Sequence, residues 1–147
     1  FNVFGPRQDP KSEYAAVIPR FIISLLRGES PTIYGDGEQT RDFTFVGNIV
    51  SANLHVLEHP NAPGQIFNIA MGAVNSLNQL AEILQELTGV DIAPQYTEPR
   101  PGHIRHSFAD VSKAAEELQF ESQISVVDGL RTTMNWYRAR SAALDAK

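Results

Sequence analysis

The run His55-Val56-Leu57-Glu58-His59 places two imidazoles four residues apart with a carboxylate between them. On a helix both rings would share one face, and H-x-x-E-H is a pattern in which two histidines hold zinc while the glutamate acts as base. Pro60 follows at once and ends any helix, and no third ligand accompanies the pair. A solvated helix end, where histidine also suits the dipole, accounts for the run more simply. Gly35-Asp36-Gly37 starts like a dinucleotide-binding turn, but position 40 is Thr, and Arg41-Asp42-Phe43 reads as strand. A dinucleotide fingerprint must open a helix, so a plain turn is expected here. No tyrosine has a lysine four residues later, and no G-x-S-x-G is present.

The arginines are more informative. Arg41 stands at a loop–strand junction, and Arg100 and Arg105 lie in a loop rich in proline and glycine. A planar guanidinium placed in this way can grip phosphate with two parallel hydrogen bonds. Surface arginines are more often simply solvated, and the residues alone leave both readings open. His103 and His106 flank Ile104-Arg105. They could form a ligand-facing or pH-sensitive pair, with a solvated loop as the default.

These residues need elements to position them. Residues 1–4 read as the end of a strand stopped by Gly5-Pro6. From Tyr14, apolar residues recur at spacings of three and four (Ala15, Ile18, Ile22, Leu25, Leu26), and Gly28 closes this helix. Pro19 suits its first turn. Strands are expected over 31–34 and 42–46, then a helix capped by Asn48 and ended by Pro60. Residues 65–70 form a nearly continuous apolar stretch, as in a strand covered on both faces. Ser76 with Gln79 makes a capping box for a helix that stops at Gly89. Residues 91–97 read as extended and 98–102 as a loop. Asp110 caps a short helix to Leu118, and Ser125 with Asp128 opens a last helix to about Ala142. The alternation is that of an α/β protein.

Composition bounds the function. The 147 residues suit one domain, and 42% hydrophobic with 20% charged residues is an ordinary globular mixture. There is no cysteine, which excludes disulfides, thiolate metal sites and a cysteine nucleophile. Twelve basic against 17 acidic residues give a net charge of −5, so neither nucleic acid nor an anionic membrane is an expected partner. No apolar run is long enough to span a membrane. The opening Phe1-Asn2-Val3-Phe4-Gly5-Pro6-Arg7 has no initiator Met and begins mid-strand, so part of a longer protein is expected.

Seven segments, in order and in register, carry a resemblance. They are Phe1-Asn2-Val3-Phe4-Gly5-Pro6-Arg7-Gln8, Ala15-Ala16-Val17-Ile18-Pro19-Arg20-Phe21, Ile33-Tyr34-Gly35-Asp36-Gly37, Thr40-Arg41-Asp42-Phe43, Phe67-Asn68-Ile69-Ala70, Arg100-Pro101-Gly102 and Arg105-His106-Ser107-Phe108-Ala109-Asp110. From Phe1 to about Tyr137 the chain resembles the C-terminal half of the NAD-dependent nucleotide-sugar epimerase/dehydratase family, the extended short-chain dehydrogenase/reductases. Its opening run is most similar to the UDP-N-acetylglucosamine/UDP-glucose 4-epimerases.

The resemblance implies one α/β unit over 1–147 that binds the nucleotide sugar, with a late Rossmann strand and helix but no complete Rossmann domain. The glycine-rich NAD turn and the catalytic Tyr-x-x-x-Lys pair would lie on a preceding NAD-binding half. NAD is thus the cofactor of the complete enzyme, and none is expected on this chain alone, which is expected to be inactive. The implied partners are a UDP-sugar and that Rossmann half, whose absence would leave apolar surface and residues 67–70 uncovered. The complete enzyme is expected to be a cytoplasmic homodimer. By resemblance, Asn2 approaches the sugar and diphosphate, the backbone of Ala16 and Val17 lies along the nucleotide, Tyr34 lies beside the uracil, and Arg41 and Arg100 hold the diphosphate and nucleoside. His103 stands where the family usually has a ribose-binding Asp, and Gly47-Asn48 where it often has an acid. A stand-alone binding module, or part of a 4,6-dehydratase or reductase, are the alternative readings.

Overall fold

The computed structural model describes residues 2–12, 17–102 and 104–140. Strand β1 (Asn2–Phe4) is followed by helix α1 (Val17–Leu26), then strands β2 (Thr32–Tyr34), β3 (Thr40–Arg41) and β4 (Phe43–Phe45). Helix α2 (Val46–Glu58), strand β5 (Asn75–Ser76) and helix α3 (Leu77–Thr88) come next. Strands β6 (Gln95–Thr97) and β7 (His106–Ser107) and helices α4 (Ser112–Leu118) and α5 (Val126–Arg138) complete the order. The architecture is α/β, as the sequence pattern predicts.

The strands form three small sheets. β1 pairs in parallel with β4, Asn2 opposite Phe43 and Phe4 opposite Phe45. β2 pairs in parallel with β6, Tyr34 opposite Thr97. β3 lies between antiparallel β5 and parallel β7. α1, α3 and α5 close over one core, in which Phe4, Ile22, Phe43, Leu84, Leu130 and Met134 are buried together. Their apolar residues recur every three or four positions, so each helix turns one stripe inward. Pro19 sits in the first turn of α1, where its missing N–H removes no helical bond. In α5 a β-carbon on Gly129 would come within 2.8 Å of Phe45 and 2.9 Å of Phe4. Only glycine lets this helix lie so close to the β1–β4 pair.

The Ser76–Gln79 capping box is present in both directions, and α3 ends at Gly89 in the left-handed conformation with φ 71°. Ser125 accepts from the backbone N–H of Asp128 and donates to its carboxylate. Asp110 is not the cap of α4: the N-cap is Val111, without a side-chain cap bond, and Asp110 one residue earlier accepts from the backbone N–H and the hydroxyl of Ser112.

Three further expectations need correcting. Asn48 is no N-cap: α2 begins at Val46, and Asn48, 2% exposed, lies inside it. Its amide donates to the carbonyl of Ile124 at 2.8 Å and its oxygen accepts from the Ile124 N–H at 2.9 Å. Asn48 therefore ties α2 to the segment leading into α5. Residues 65–70 form no strand, because no described strand lies alongside to supply a ladder. Side chains hold the segment instead: Lys113 Nζ donates to the carbonyl of Ile66, Asn68 Nδ2 to that of Asp110, and Ser122 Oγ to that of Ala70. The regular part of 91–97 is also shorter than expected, since only β6 forms a ladder.

α2 presents Val50, Leu54 and Leu57 to solvent, at 53%, 63% and 77% exposure, and Ile66 of the 65–70 segment is 85% exposed. Val50, Leu54 and Leu57 are spaced four and three apart, a second apolar stripe on α2 that stays largely exposed among the described residues.

Candidate functional site

Three elements meet around an open hollow of about 530 Å³. β2 brings Tyr34, the turn after it brings Asp36 and Gln39, and the loop between β6 and β7 brings Glu98, Arg100 and Arg105. The volume lies within the range of small-molecule sites.

The turn owes its shape to its glycines. Gly35 and Gly37 have φ 88° and 78°. A β-carbon on Gly37 would stand 1.9 Å from Oδ1 of Asn78, at the start of α3. Asn78 fastens the turn by donating to the carbonyl of Asp36 and to the carboxylate of Glu38, and it accepts from the hydroxyl of Tyr96. Gln39 Nε2 donates to the carbonyl of Tyr34 at 2.8 Å. The run leads into β3, so it is a turn and not the opening of a dinucleotide-binding helix.

Within the hollow the guanidinium of Arg100 lies over the ring of Tyr34, 3.7 Å from its centroid. The guanidinium of Arg105 pairs with the carboxylate of Asp36 at 2.9 Å. That hydrogen bond is the first cause holding the Asp36 carboxyl below its ordinary range, followed by the Glu38 N–H. Asp36 is therefore ionised at neutral pH.

Arg41 is not among the residues that line the hollow. Its Nη1 donates to the carbonyls of Thr40 and Arg105, at 2.7 and 3.2 Å, and its Nη2 to that of Ile104 at 2.7 Å. Burial lowers its pKa, which still leaves it a cation. The guanidinium thus clamps the backbone of two residues, Ile104 and Arg105, that do line the hollow. Beside it the Thr40 N–H donates to the Arg105 carbonyl at 2.9 Å, and Thr40 Oγ1 meets Nδ1 of His106 at 3.0 Å.

Of the other expected site residues, Asn2 lies in β1 opposite Phe43 and Val17 opens α1; both are partly buried, outside the lining of this hollow. Ala16 and His103 lie outside the described residues. The structure brings Tyr34 and Arg100 together, sets Arg41 behind the loop, pairs Arg105 with Asp36, and adds Asn78, which sequence reasoning missed. Arg105 was visible as an arginine in the loop, but its pairing with Asp36 across 69 positions was not. Nothing in the sequence marks Asn78.

His55 and His59 take structural roles. Their ring centroids are 5.2 Å apart. His55 Nε2 donates to the carbonyl of Leu118 at 2.7 Å, and His59 Nδ1 accepts from the Asn61 N–H at 3.3 Å. Among the described residues no group of three or more His, Cys, Asp or Glu is placed to hold a metal ion. No described helix is long and apolar enough to cross a membrane.

The α/β fold matches solved epimerases over 95–100% of this chain and about 44% of theirs, as the C-terminal portion of an extended short-chain dehydrogenase/reductase does. Residues 1–70 match the NAD dependent epimerase/dehydratase family. The chain is 42% identical, with a TM-score of 0.88, to UDP-glucose 4-epimerase of Thermotoga maritima, solved with UDP-glucose, covering 95% of this chain and 44% of that one. It is 44% identical, with a TM-score of 0.87, to UDP-N-acetylglucosamine 4-epimerase of Methanobrevibacter ruminantium in complex with UDP-N-acetylmuramic acid, covering 95% and 44%. It is 31% identical, with a TM-score of 0.84, to UDP-glucuronic acid 4-epimerase of Bacillus cereus in complex with UDP-glucuronic acid and NAD, covering 95% and 43%. The chain belongs to the NAD-dependent epimerase/dehydratase family. It spans less than half the length of these relatives.

The chain carries neither of the two motifs expected of an NAD-binding half. Its Gly-x-Gly run opens a strand, and no tyrosine stands four positions before a lysine to take a proton from a sugar hydroxyl.

Proposed function

We propose that this chain is the nucleotide-sugar-binding part of an NAD-dependent 4-epimerase acting on UDP-sugars. One observation carries the reading: Arg100 over the ring of Tyr34, with Arg105 in the same hollow. A flat base is held by an aromatic face and backbone hydrogen bonds, and a diphosphate by guanidinium forks. In this reading Tyr34 lies beside the uracil and Arg100 reaches the diphosphate. Arg41 contributes from behind through the loop it clamps and through its Nε, which has no hydrogen-bond partner among the described residues. Asn2, Ala16, Val17 and His103 complete the contacts to sugar, nucleotide backbone and ribose. Relatives solved with UDP-sugars support the ligand class.

A 4-epimerase must let the sugar turn between the two hydride transfers while the nucleotide stays fixed. Strong contacts therefore belong on the diphosphate and base. The NAD and the catalytic tyrosine belong to an N-terminal Rossmann half, which covers the open face of α2 and gives residues 65–70 a neighbouring strand. Alone, the chain binds without turnover. The whole protein is in this reading a cytoplasmic homodimer.

Calorimetric titration of the chain with UDP tests the reading. Binding that Arg100→Ala weakens supports it. Binding that Arg100→Ala leaves unchanged overturns the placement, and NAD-dependent turnover of UDP-glucose by the purified chain overturns its inactivity.

A further inference from the structure

Among the described residues the hollow is lined by two cations, Arg100 and Arg105, and two carboxylates, Asp36 and Glu98, whose charges sum to zero. That balance is unexpected for a site whose ligand is an anion. The two arginines are not equivalent. Arg100 lies over an uncharged ring, whereas Arg105 already holds a carboxylate.

The backbone of Arg105 is fixed, since its carbonyl accepts from Thr40 N–H and from Arg41 Nη1. Its side chain is not: the Arg105 and Asp36 side chains are 60% and 53% exposed. An exposed ion pair is worth little, which leaves the guanidinium free to exchange partners at low cost. Pyrophosphate is a better partner than one carboxylate, with more charge and more acceptor oxygens. Asp36 is itself fixed by the Glu38 N–H on its Oδ1 and by Asn78 on its carbonyl, so it cannot follow the arginine.

Resting on the nucleotide-sugar reading above, we propose that Arg105 is an exchangeable anchor for the ligand's diphosphate, and that Asp36 is a built-in competitor which holds it when the hollow is empty and moderates affinity. The device keeps Arg105 extended towards the hollow between ligands, and it makes binding selective for ligands with enough negative charge to displace a carboxylate. A uridine without phosphates gains nothing from Arg105.

The test is a double-mutant cycle on the chain, read by calorimetry with UDP and with uridine. Asp36→Asn keeps the oxygen that accepts from Glu38 N–H but removes the charge. It should tighten UDP binding by about two- to fivefold, the worth of an exposed pair. Arg105→Ala should weaken UDP binding by about three- to tenfold. In the double variant the gain from Asp36→Asn should vanish, and uridine binding should be alike in all four proteins. An Arg105→Ala variant that binds UDP like the parent overturns the proposal and leaves the hollow's assignment standing. So does an Asp36→Asn gain that persists without Arg105. If none of the four binds UDP, and the Arg105 side-chain NMR signal of the parent does not move with UDP, the assignment of the hollow falls and the proposal falls with it.

Discussion

Tyr34 ends β2 and Arg100 lies in the loop that follows β6, the strand paired with β2, and the guanidinium of one lies 3.7 Å from the ring centroid of the other. Tyr34 is opposite Thr97, three residues before Arg100, so strand register delivers the contact. Such a contact is worth about 0.5–1 kcal/mol at an exposed site. Its effect is to hold a long, flexible cation in place before a ligand arrives. Tyr34→Phe keeps the ring face, and UDP affinity should stay within about twofold of the parent. Tyr34→Ala removes both the platform and the stacking surface, and should weaken UDP by about tenfold, about 1.4 kcal/mol. Equal loss in both variants, read by calorimetry, would show that the hydroxyl and not the ring matters.

Arg41 acts on its own chain as a three-bond clamp. Arg41→Ala removes these donors from the carbonyls of Thr40, Ile104 and Arg105, where water can replace them in part. The expected cost is about 1–2 kcal/mol of stability. Arg41→Lys should recover little of it, because one ammonium cannot reproduce a planar fork. The local readout is hydrogen exchange at the Thr40 amide, which should quicken in both variants because its acceptor is the clamped Arg105 carbonyl. An unchanged Thr40 rate would mean that the loop holds itself.

The short-range devices were legible in the sequence and the long-range ones were not. Ser76 with Gln79, Gly89 and Pro19 act within one or two turns, and each does what its spacing predicts. Residues 65–70 have the composition of a covered strand, but a strand also needs a neighbour, and a neighbour is not a local property. Asn48 shows the same limit. It stands three residues into a helix, as a cap misjudged by one turn would, and its real partner lies 76 positions away. The site divides along the same line. Tyr34, Arg41 and Arg100 could be named from their motifs, whereas Arg41 spending its donors on Ile104 and Arg105 depends on β3 lying beside β7.

Asn48 supplies a stability prediction. Both polar atoms of its amide bond Ile124, and its Nδ2 also donates to the sulfur of Met71 at 3.5 Å. Asn48→Ala leaves a partly buried N–H and C=O without them and should cost about 2–3 kcal/mol, read as the urea midpoint. Asn48→Asp should cost at least as much at neutral pH. It can still accept from the Ile124 N–H, but it sets a carboxylate against the Ile124 carbonyl. A small loss in Asn48→Asp would mean that the segment before α5 shifts freely.

The hydroxyl of Tyr137 donates to the carbonyl of Gln8 and fastens the chain after β1 to α5. Burial, and then the charge of Asp9, push its pKa up to about 12. The folded value lies above the unfolded one, near 10. The stabilisation is therefore complete below pH 10 and is lost as pH rises towards 12. Tyr137→Phe should lower the melting temperature at pH 8, and the gap between variant and parent should narrow between pH 10 and 12. Absorbance near 295 nm should show an ionisation step near pH 12 that is missing from the variant. A gap independent of pH would assign the loss to packing alone.

The open face of α2 separates what stabilises this chain from what binds to it. Leu54 and Leu57 on this face, and Ile66 in the segment after the helix, are 63%, 77% and 85% exposed, so little of their surface leaves water when the chain folds. Replacing them together by Gln, Gln and Thr should leave stability within about 0.5 kcal/mol of the parent for each change, where a buried leucine would lose several times that. Dye binding to exposed apolar surface should fall. In the proposed whole enzyme this stripe meets the NAD-binding half, so the triple variant should fail to associate with that half supplied as a separate chain, while keeping its affinity for UDP. A large fall in melting temperature would instead mean that these side chains are already packed in solution against a second copy. Sedimentation of the parent would then show a dimer that the triple variant lacks.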